Sequence, residues 1–346
     1  MARAKILQKH TYDARVEQLL GILSELVQQS SPRLATGRST ASEFLGSSTS
    51  IWTMTAQKTT LRRRLRDALL QSISVLPLSW KLWLHQNHPR YLLGVLFRLE
   101  NEPVTVSPAG PAGARFIMKL SWQGHMAYAL GTYEPETVQL LAKFVKEGDY
   151  CIDAGAHIGY VTILMAHRVG PSGLVTAFEP VPQNFKALQE NVNMNALGNV
   201  DLFDGALSDH DGTLPLMISA NQYLSWTPSA TGYAVDRDNV TIEARAVSLD
   251  TFLSRTGRKP SLVKIDVEGA ELSVLEGAMQ TLRSVRPILF VEIHGHDTPA
   301  GRQSVELLRS LDYDVSVVGK RGHEAFWLAL PVSCDHVNPL RGAARA

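Results

Sequence analysis

The feature that most restricts the fold of this 346-residue chain is a rhythm that sets in near residue 103 and runs to about residue 330. Short apolar runs alternate with helical periods. Strand candidates are 149–154, 174–178, 200–204, 262–266, 287–293, 313–318 and 325–330; helix candidates are 135–145, 158–168, 182–195, 271–283 and 301–310. Short buried strands alternating with helices predict an α/β fold, a doubly wound sheet with helices on both faces. Only GKRGHE (319–324) separates the last two strands. A parallel pair needs a crossover of about a dozen residues, so these two are expected to form a C-terminal antiparallel hairpin.

The sequence ahead of this rhythm reads differently. Val16, Leu19, Leu20, Leu23, Leu26 and Val27 form one apolar stripe, which predicts an amphipathic helix within 1–29. It either docks on its own domain or makes a homodimer or partner contact. Residues 30–60 are rich in Ser and Thr without a period, as in a flexible linker. Residues 61–102 form a helical N-terminal region. It carries Arg62, Arg63, Arg64 and Arg66, then Trp80, Trp83, Tyr91 and Phe97. Two readings stand: a face for a membrane or an anionic lipid-linked substrate, or a helical cap with snorkelling arginines. The α/β domain is expected over 103–335, with a tail at 336–346.

Composition narrows the function. Hydrophobic residues are 45% and charged residues 19%, as in a globular protein. Lys+Arg 34 against Asp+Glu 33 leaves a net charge of +1, which offers no argument for a nucleic-acid partner. Cys151 and Cys334 are too few for a disulfide framework and suit a reducing compartment. No apolar run approaches the roughly 20 residues that span a bilayer. The first twenty residues lack the apolar core of a secretory leader. A cytoplasmic location is therefore expected.

The chemistry concentrates at the strand ends. YCIDAGAHIGYVTILMAHRVG (150–170) reads as strand, Asp153, glycine turn, helix. Ligands of open α/β sheets bind beyond the carboxyl ends of the strands. Gly155 and Gly159 are expected to let the backbone turn and approach a ligand closely. Their spacing is not that of a dinucleotide fingerprint, and no phosphate-binding Lys-Ser/Thr follows. The next strand, LVTAFEP, ends in Glu179 and Pro180, where an acid can accept hydrogen bonds from both ribose hydroxyls. Asp153 suits an ammonium group. Together these describe a pocket for S-adenosylmethionine, which has a ribose, an amino-acid end and a sulfonium but no phosphate. Ala206 and Asp209, past the third strand, are candidates for the adenine edge.

The strand LVKID delivers Asp266 to the same sheet edge, followed by Glu268 and Gly269; PILFVEIHG then delivers Glu292 and His294. Asp266 is the first candidate for general base and His294 the second, with an ordinary pKa of about 6.5. Glu268 joins them as a catalytic candidate, or caps the following helix. For Lys264 a structural role is preferred. The site set includes no metal; an alternative in which Asp266, Glu292 and His294 hold a divalent ion lacks support from local spacing. The insertion at 219–240, with Tyr223, Trp226 and Tyr233, is placed to act as an acceptor-binding lid.

CIDAGAHIGY (151–160), FEP (178–180), NVNMN (191–195), Ala206-Leu207-Ser208, Ser248-Leu249-Asp250, KIDVEGAE (264–271) and Leu275-Glu276-Gly277-Ala278 occur together in this order. The set resembles the FkbM family of S-adenosylmethionine-dependent methyltransferases, over about residues 130–295. The resemblance implies the class I methyltransferase fold, a seven-stranded Rossmann-like sheet whose last strand is antiparallel. It also implies O-methyl transfer to a hydroxyl of a sugar, glycan precursor or secondary metabolite. The family turn commonly reads Gly-Ala-Asn; here it is Gly155-Ala156-His157, and the His157 ring can still donate a hydrogen bond. Two alternatives remain: a methyltransferase-like binding or scaffold module without catalysis, and an NAD(P)-dependent oxidoreductase, which the glycine spacing and the hairpin disfavour.

Overall fold

A computed structural model describes residues 66–67, 70–71, 73–87, 103–108, 115–120, 126–218, 225–226, 240–321 and 324–332. The stripe at 14–29, the linker at 30–60, almost all of the aromatic insertion and the tail at 336–346 lie outside the described residues. The chain divides into two units, Met1–Thr105 with Leu120–Leu130, and Val106–Lys119 with Gly131–Ala346.

The first unit holds α1 (Leu78–Asn87), most of β1 (Pro103–Val106) and α2 (Met126–Leu130). Arg66, counted above with a basic surface, is only 1% exposed. Its guanidinium bonds Asp67 at 2.7 and 2.9 Å and the Pro103 carbonyl at 2.9 Å. It is turned inward and adds nothing to a membrane-facing charge. No helix among the described residues is long and apolar enough to cross a membrane.

In chain order the second unit runs β2 (Phe116–Lys119), α3 (Pro135–Phe144), β3 (Tyr150–Ala154), α4 (Tyr160–Val169), β4 (Leu174–Glu179), α5 (Pro182–Met194), β5 (Val200–Asp204), β6 (Ala206–Ser208), β7 (Gly212–Ile218), β8 (Ser225–Trp226) and β9 (Val240–Ser248). It continues α6 (Leu249–Thr256), β10 (Leu262–Ile265), α7 (Glu271–Glu276), α8 (Met279–Ser284), β11 (Ile288–His294), α9 (Pro299–Ser310), β12 (Tyr313–Arg321) and β13 (Glu324–Pro331). A seven-stranded sheet orders these strands β12-β13-β11-β10-β3-β4-β5. β11, β10, β3, β4 and β5 pair in parallel, and β13 pairs antiparallel with both β11 and β12. This is the class I methyltransferase sheet, with the C-terminal hairpin expected from the sequence.

The central strands are buried and mainly apolar, because helices cover both faces, with their polar residues gathered toward the carboxyl ends. β10 is buried at every position, and Ile152, Val263, Val291 and Leu275 are fully enclosed. The sheet direction reverses sides between β3 and β10, the switch point where open α/β sheets leave a crevice.

Two departures from the expected pattern have local causes. The helix expected over 271–283 breaks into α7 and α8 at Gly277, where an added Cβ would lie 1.9 Å from the Ser208 carbonyl oxygen. Between β5 and β10, where no strand was expected, lies a four-stranded sheet of order β6-β9-β7-β8. β7 carries Pro215 in mid-strand, a residue that argues against a strand reading.

Candidate active site

The β3–α4 turn is built on close contacts within the protein. Gly155 has φ 78°, and a Cβ there would stand 1.7 Å from the Asp266 carbonyl oxygen. Gly159, with φ 93°, would put a Cβ 2.7 Å from a Leu188 methyl. The glycines thus let protein backbone and side chains approach, where the sequence suggested approach by a ligand. The amides of Gly155 and Ala156 both donate to the Phe178 carbonyl at 3.0 Å, which ties the turn to β4. His157 has φ 51°. Asn and His are among the residues enriched in that left-handed region, which gives a backbone reason for either at this position.

Glu179 closes the turn from the other side. It is 4% exposed. One carboxylate oxygen accepts the His157 amide at 2.8 Å and the other the Val181 amide at 3.0 Å. The contact with His157 is therefore through its backbone. Burial pushes the Glu179 carboxyl up to about 7, against the pull of these hydrogen bonds. Pro180 follows, half-buried.

Asp153 is wholly buried and faces inward. Thr162 Oγ1 donates to it at 2.6 Å, and its other oxygen lies 3.3 Å from Lys264 Nζ. Lys264 also donates to the Gly155 carbonyl at 3.0 Å and pairs with Asp266 at 3.2 Å. Burial alone would lower the lysine pKa, but Asp153, Asp266 and Glu134 hold it above the usual range. For Asp266, burial is likewise outweighed, here by Lys264 and then His294, and its pKa is lowered.

Beyond Asp266 the tips of β10 and β11 converge. His294 is 8% exposed; its Nδ1 lies 2.9 Å from Glu271 Oε1, and its Nε2 lies 3.4 Å from Glu268, 3.9 Å from Asp266 and 3.9 Å from Glu292. Burial opposes its positive charge, but the Glu271 bond and the nearby carboxylates raise its pKa to about 10. Glu292 is raised to about 10 by burial, then by Asp266 and Glu134. The sequence-derived candidates Asp266, Glu268 and His294 thus come together. Glu268 has φ 54° and does not cap α7; Glu271 bonds the Gly269 amide at 2.9 Å instead.

Other candidates sit apart. Gly205 donates its amide to the Glu179 carbonyl at 3.2 Å, which keeps Ala206 beside the end of β4. Ala206 itself is in β6, paired with Ala246. Asp209 is 47% exposed and is held by His210 at 2.8 Å and Ser208 at 2.9 Å. No contact among the described residues joins it to Glu179. Sequence reasoning missed Glu134 and Glu271. Glu134 is 3% exposed, and its carboxylate comes within 4.8 Å of those of Asp266 and Glu292. An acid before Pro135 reads as an ordinary helix start, so no local signal marked it.

A family profile described as Methyltransferase FkbM domain matches residues 153–315. The 31-O-demethyl-FK506 methyltransferase FkbM of Streptomyces tacrolimicus is 31% identical over 199 residues, which cover 49% of this chain and 75% of that protein. The chain belongs to the FkbM methyltransferase family. Among other relatives, the hexuronic acid methyltransferase AglP of Haloferax volcanii is 31% identical over 171 residues, covering 48% of this chain and 64% of AglP. Methyltransferase 1 of Beauveria bassiana is 28% identical over 151 residues, 38% of this chain and 59% of that one. The chain thus spans about three fifths of the length of these last two relatives.

Proposed function

We propose that this chain is an S-adenosylmethionine-dependent O-methyltransferase acting on a hydroxyl of a sugar, glycan precursor or secondary metabolite. One observation carries the reading: a buried acid at the tip of β4, Glu179, shares a sheet edge with an acidic pocket at the tips of β10 and β11. The residues fit the cofactor. The Glu179 carboxylate accepts the His157 and Val181 amides and a hydrogen bond from the Asn184 side chain, which leaves acceptor capacity for a ribose hydroxyl. The buried excess of carboxylates favours a ligand with positive charge. Gly155, His157, Gly159, Pro180 and Ala206 line or support that end, while Asp153 acts through Lys264.

When bound, S-adenosylmethionine supplies an electrophilic methyl group. The chain contributes alignment, which accounts for much of the rate in such a transfer. Asp266 is held ionised by Lys264 and keeps 18% of its side chain accessible, so it can orient an acceptor hydroxyl and take its proton. Glu268, 27% accessible, is placed to bind a neighbouring hydroxyl. The names of the relatives support an oxygen acceptor: one concerns a hexuronic acid and another 31-O-demethyl-FK506.

Calorimetric titration of S-adenosylmethionine into the full chain, beside Glu179→Gln, tests the reading. Saturable binding that the substitution weakens at least about tenfold is expected, as for loss of a charged hydrogen-bonding partner. A folded wild-type protein that binds none overturns it and favours the non-catalytic binding module.

A further inference from the structure

The asparagines of NVNMN (191–195) have no part in the chemistry above, yet two of them hold backbone 72 and 78 residues earlier in the chain. Asn195 faces Ile117 of β2 as a neighbouring strand would. Its Oδ1 accepts the Ile117 amide at 2.8 Å, and its Nδ2 donates to the Ile117 carbonyl at 2.7 Å. One helical turn earlier, Asn191 Oδ1 accepts the Lys119 amide at 2.8 Å. The match is one of pitch: four residues advance a helix by about 6 Å, and two residues advance a strand by about 6.6 Å. The end of α5 thus presents side-chain amides at the spacing of a strand's own backbone groups.

Asn191 makes a further bond that Asn195 does not. Its Nδ2 donates to the Ile158 carbonyl at 2.7 Å, inside the β3–α4 turn. The side chain is wholly buried between a carbonyl and an amide, and a single orientation of its own amide serves both. The turn it touches is strained, since Gly155, His157 and Gly159 all have positive φ. A left-handed histidine persists where its surroundings over-determine it. The other ties of the turn run to β4, from the Gly155 and Ala156 amides to the Phe178 carbonyl and from the His157 amide to Glu179. Asn191 ties it to α5 and, through Lys119, to β2. An independent contact joins the same parts: Phe116 of β2 meets Tyr160, the first residue of α4, with ring centroids 5.7 Å apart.

We propose that Asn191 is a positioning residue. It holds the Ile158 carbonyl, and with it the glycine turn, in the shape that receives S-adenosylmethionine, and it makes that shape depend on the seating of β2. The cofactor half of this inference rests on the function proposed above; the tie between β2 and the turn does not. By linkage, cofactor binding then protects β2 by the same factor as seated β2 favours the cofactor.

Native-state amide exchange of the full chain, with and without S-adenosylmethionine, tests this in wild type, Asn191→Ala, Asn195→Ala and Asn199→Ala. Asn199 donates to the Ala166 and Gly170 carbonyls at the far end of α4, so its loss controls for a loosened helix. Rates are read relative to the amides of β10, which report general stability. Without cofactor, Asn191→Ala should speed exchange at Gly155, Ala156, His157 and Lys119 at least about tenfold, as for loss of buried hydrogen bonds. Asn195→Ala, which cuts the β2 side alone at a half-buried position, should loosen Ile117 and, through Asn191, the turn amides about threefold. Asn199→Ala should leave the turn as in wild type. By calorimetry, S-adenosylmethionine should bind at least about tenfold more weakly to Asn191→Ala and about threefold more weakly to Asn195→Ala. The cofactor should slow Lys119 exchange in wild type and fail to do so in Asn191→Ala. Turn amides that keep their wild-type rates in Asn191→Ala, or that loosen as much in Asn199→Ala, overturn the proposal. If Asn191→Ala does not fold, Asn195→Ala decides: a loosened Ile117 beside an unchanged turn overturns it. A wild-type protein that binds no cofactor overturns the methyltransferase reading instead, and exchange in the unbound chain still decides the tie.

Discussion

Glu179 is both a ligand candidate and a fastener, because its two oxygens hold amides from two segments. Its folded pKa of about 7 lies above the ordinary 4.5. Below about pH 4.5 folded and unfolded chains both hold the proton, and the contribution to stability is complete. As pH rises the unfolded chain releases it first, so stability falls and the loss is complete above about pH 7, at most about 3 kcal/mol. Urea midpoints between about pH 5 and pH 8 should therefore slope downward in wild type and less so in Glu179→Gln; equal slopes would sink the assignment. Gly155→Ala places a methyl against the Asp266 carbonyl and strains a left-handed residue. A loss of at least about 3 kcal/mol, or no soluble protein, is expected from denaturant unfolding. At this scale the strand-tip acids Glu179 and Asp266 were legible, since position at a strand end is a short-range pattern. Glu134 and Glu271 were not, because only long-range packing brings them beside Asp266 and His294.

Among the elements, Ser248-Leu249-Asp250 has a plain mechanical explanation. Ser248 accepts the Thr251 amide at 3.2 Å and so caps α6. Asp250 reaches across to α8, accepting the amides of Gln280 at 2.7 Å and Thr281 at 2.8 Å and the Thr281 hydroxyl at 2.6 Å. Ser248→Ala should cost about 1 kcal/mol and Asp250→Ala about 2 kcal/mol, measured by urea unfolding. Similar small losses for both would show that Asp250 does not bear the α8 terminus. The three residues were recognised in the sequence as part of a set, but their reason was hidden: the capped helix begins about thirty residues later. The small sheet was illegible for a different cause. Its strands bury one face on a compact cluster of Val181, Leu214, Leu216, Ile218, Ala244 and Ala246, so their apolar signal is weak and Pro215 interrupts it.

At the scale of the second unit, stability should be graded. β3 and β10 lie in mid-sheet and are almost wholly buried, whereas β5 is an edge strand with mostly half-exposed residues. Native-state amide exchange should be slowest in β3, β4, β10 and β11, faster in β5, and faster again in β7 and β9. Amides of β7 that exchange as slowly as those of β10 would contradict this grading. The sheet order itself was readable because alternation and the missing crossover between the last strands are strong constraints. The same order sets a timetable for synthesis. β13 is the last strand of the sheet to leave the ribosome, yet it sits between β11 and β12, and both pair with it. Until it arrives, β11 has an open edge that carries Phe290 and Val291, residues otherwise enclosed. The nascent chain must keep that edge from other strands for the time it takes to add the residues from His294 to Pro331, which makes this interval the one in which a chaperone matters most.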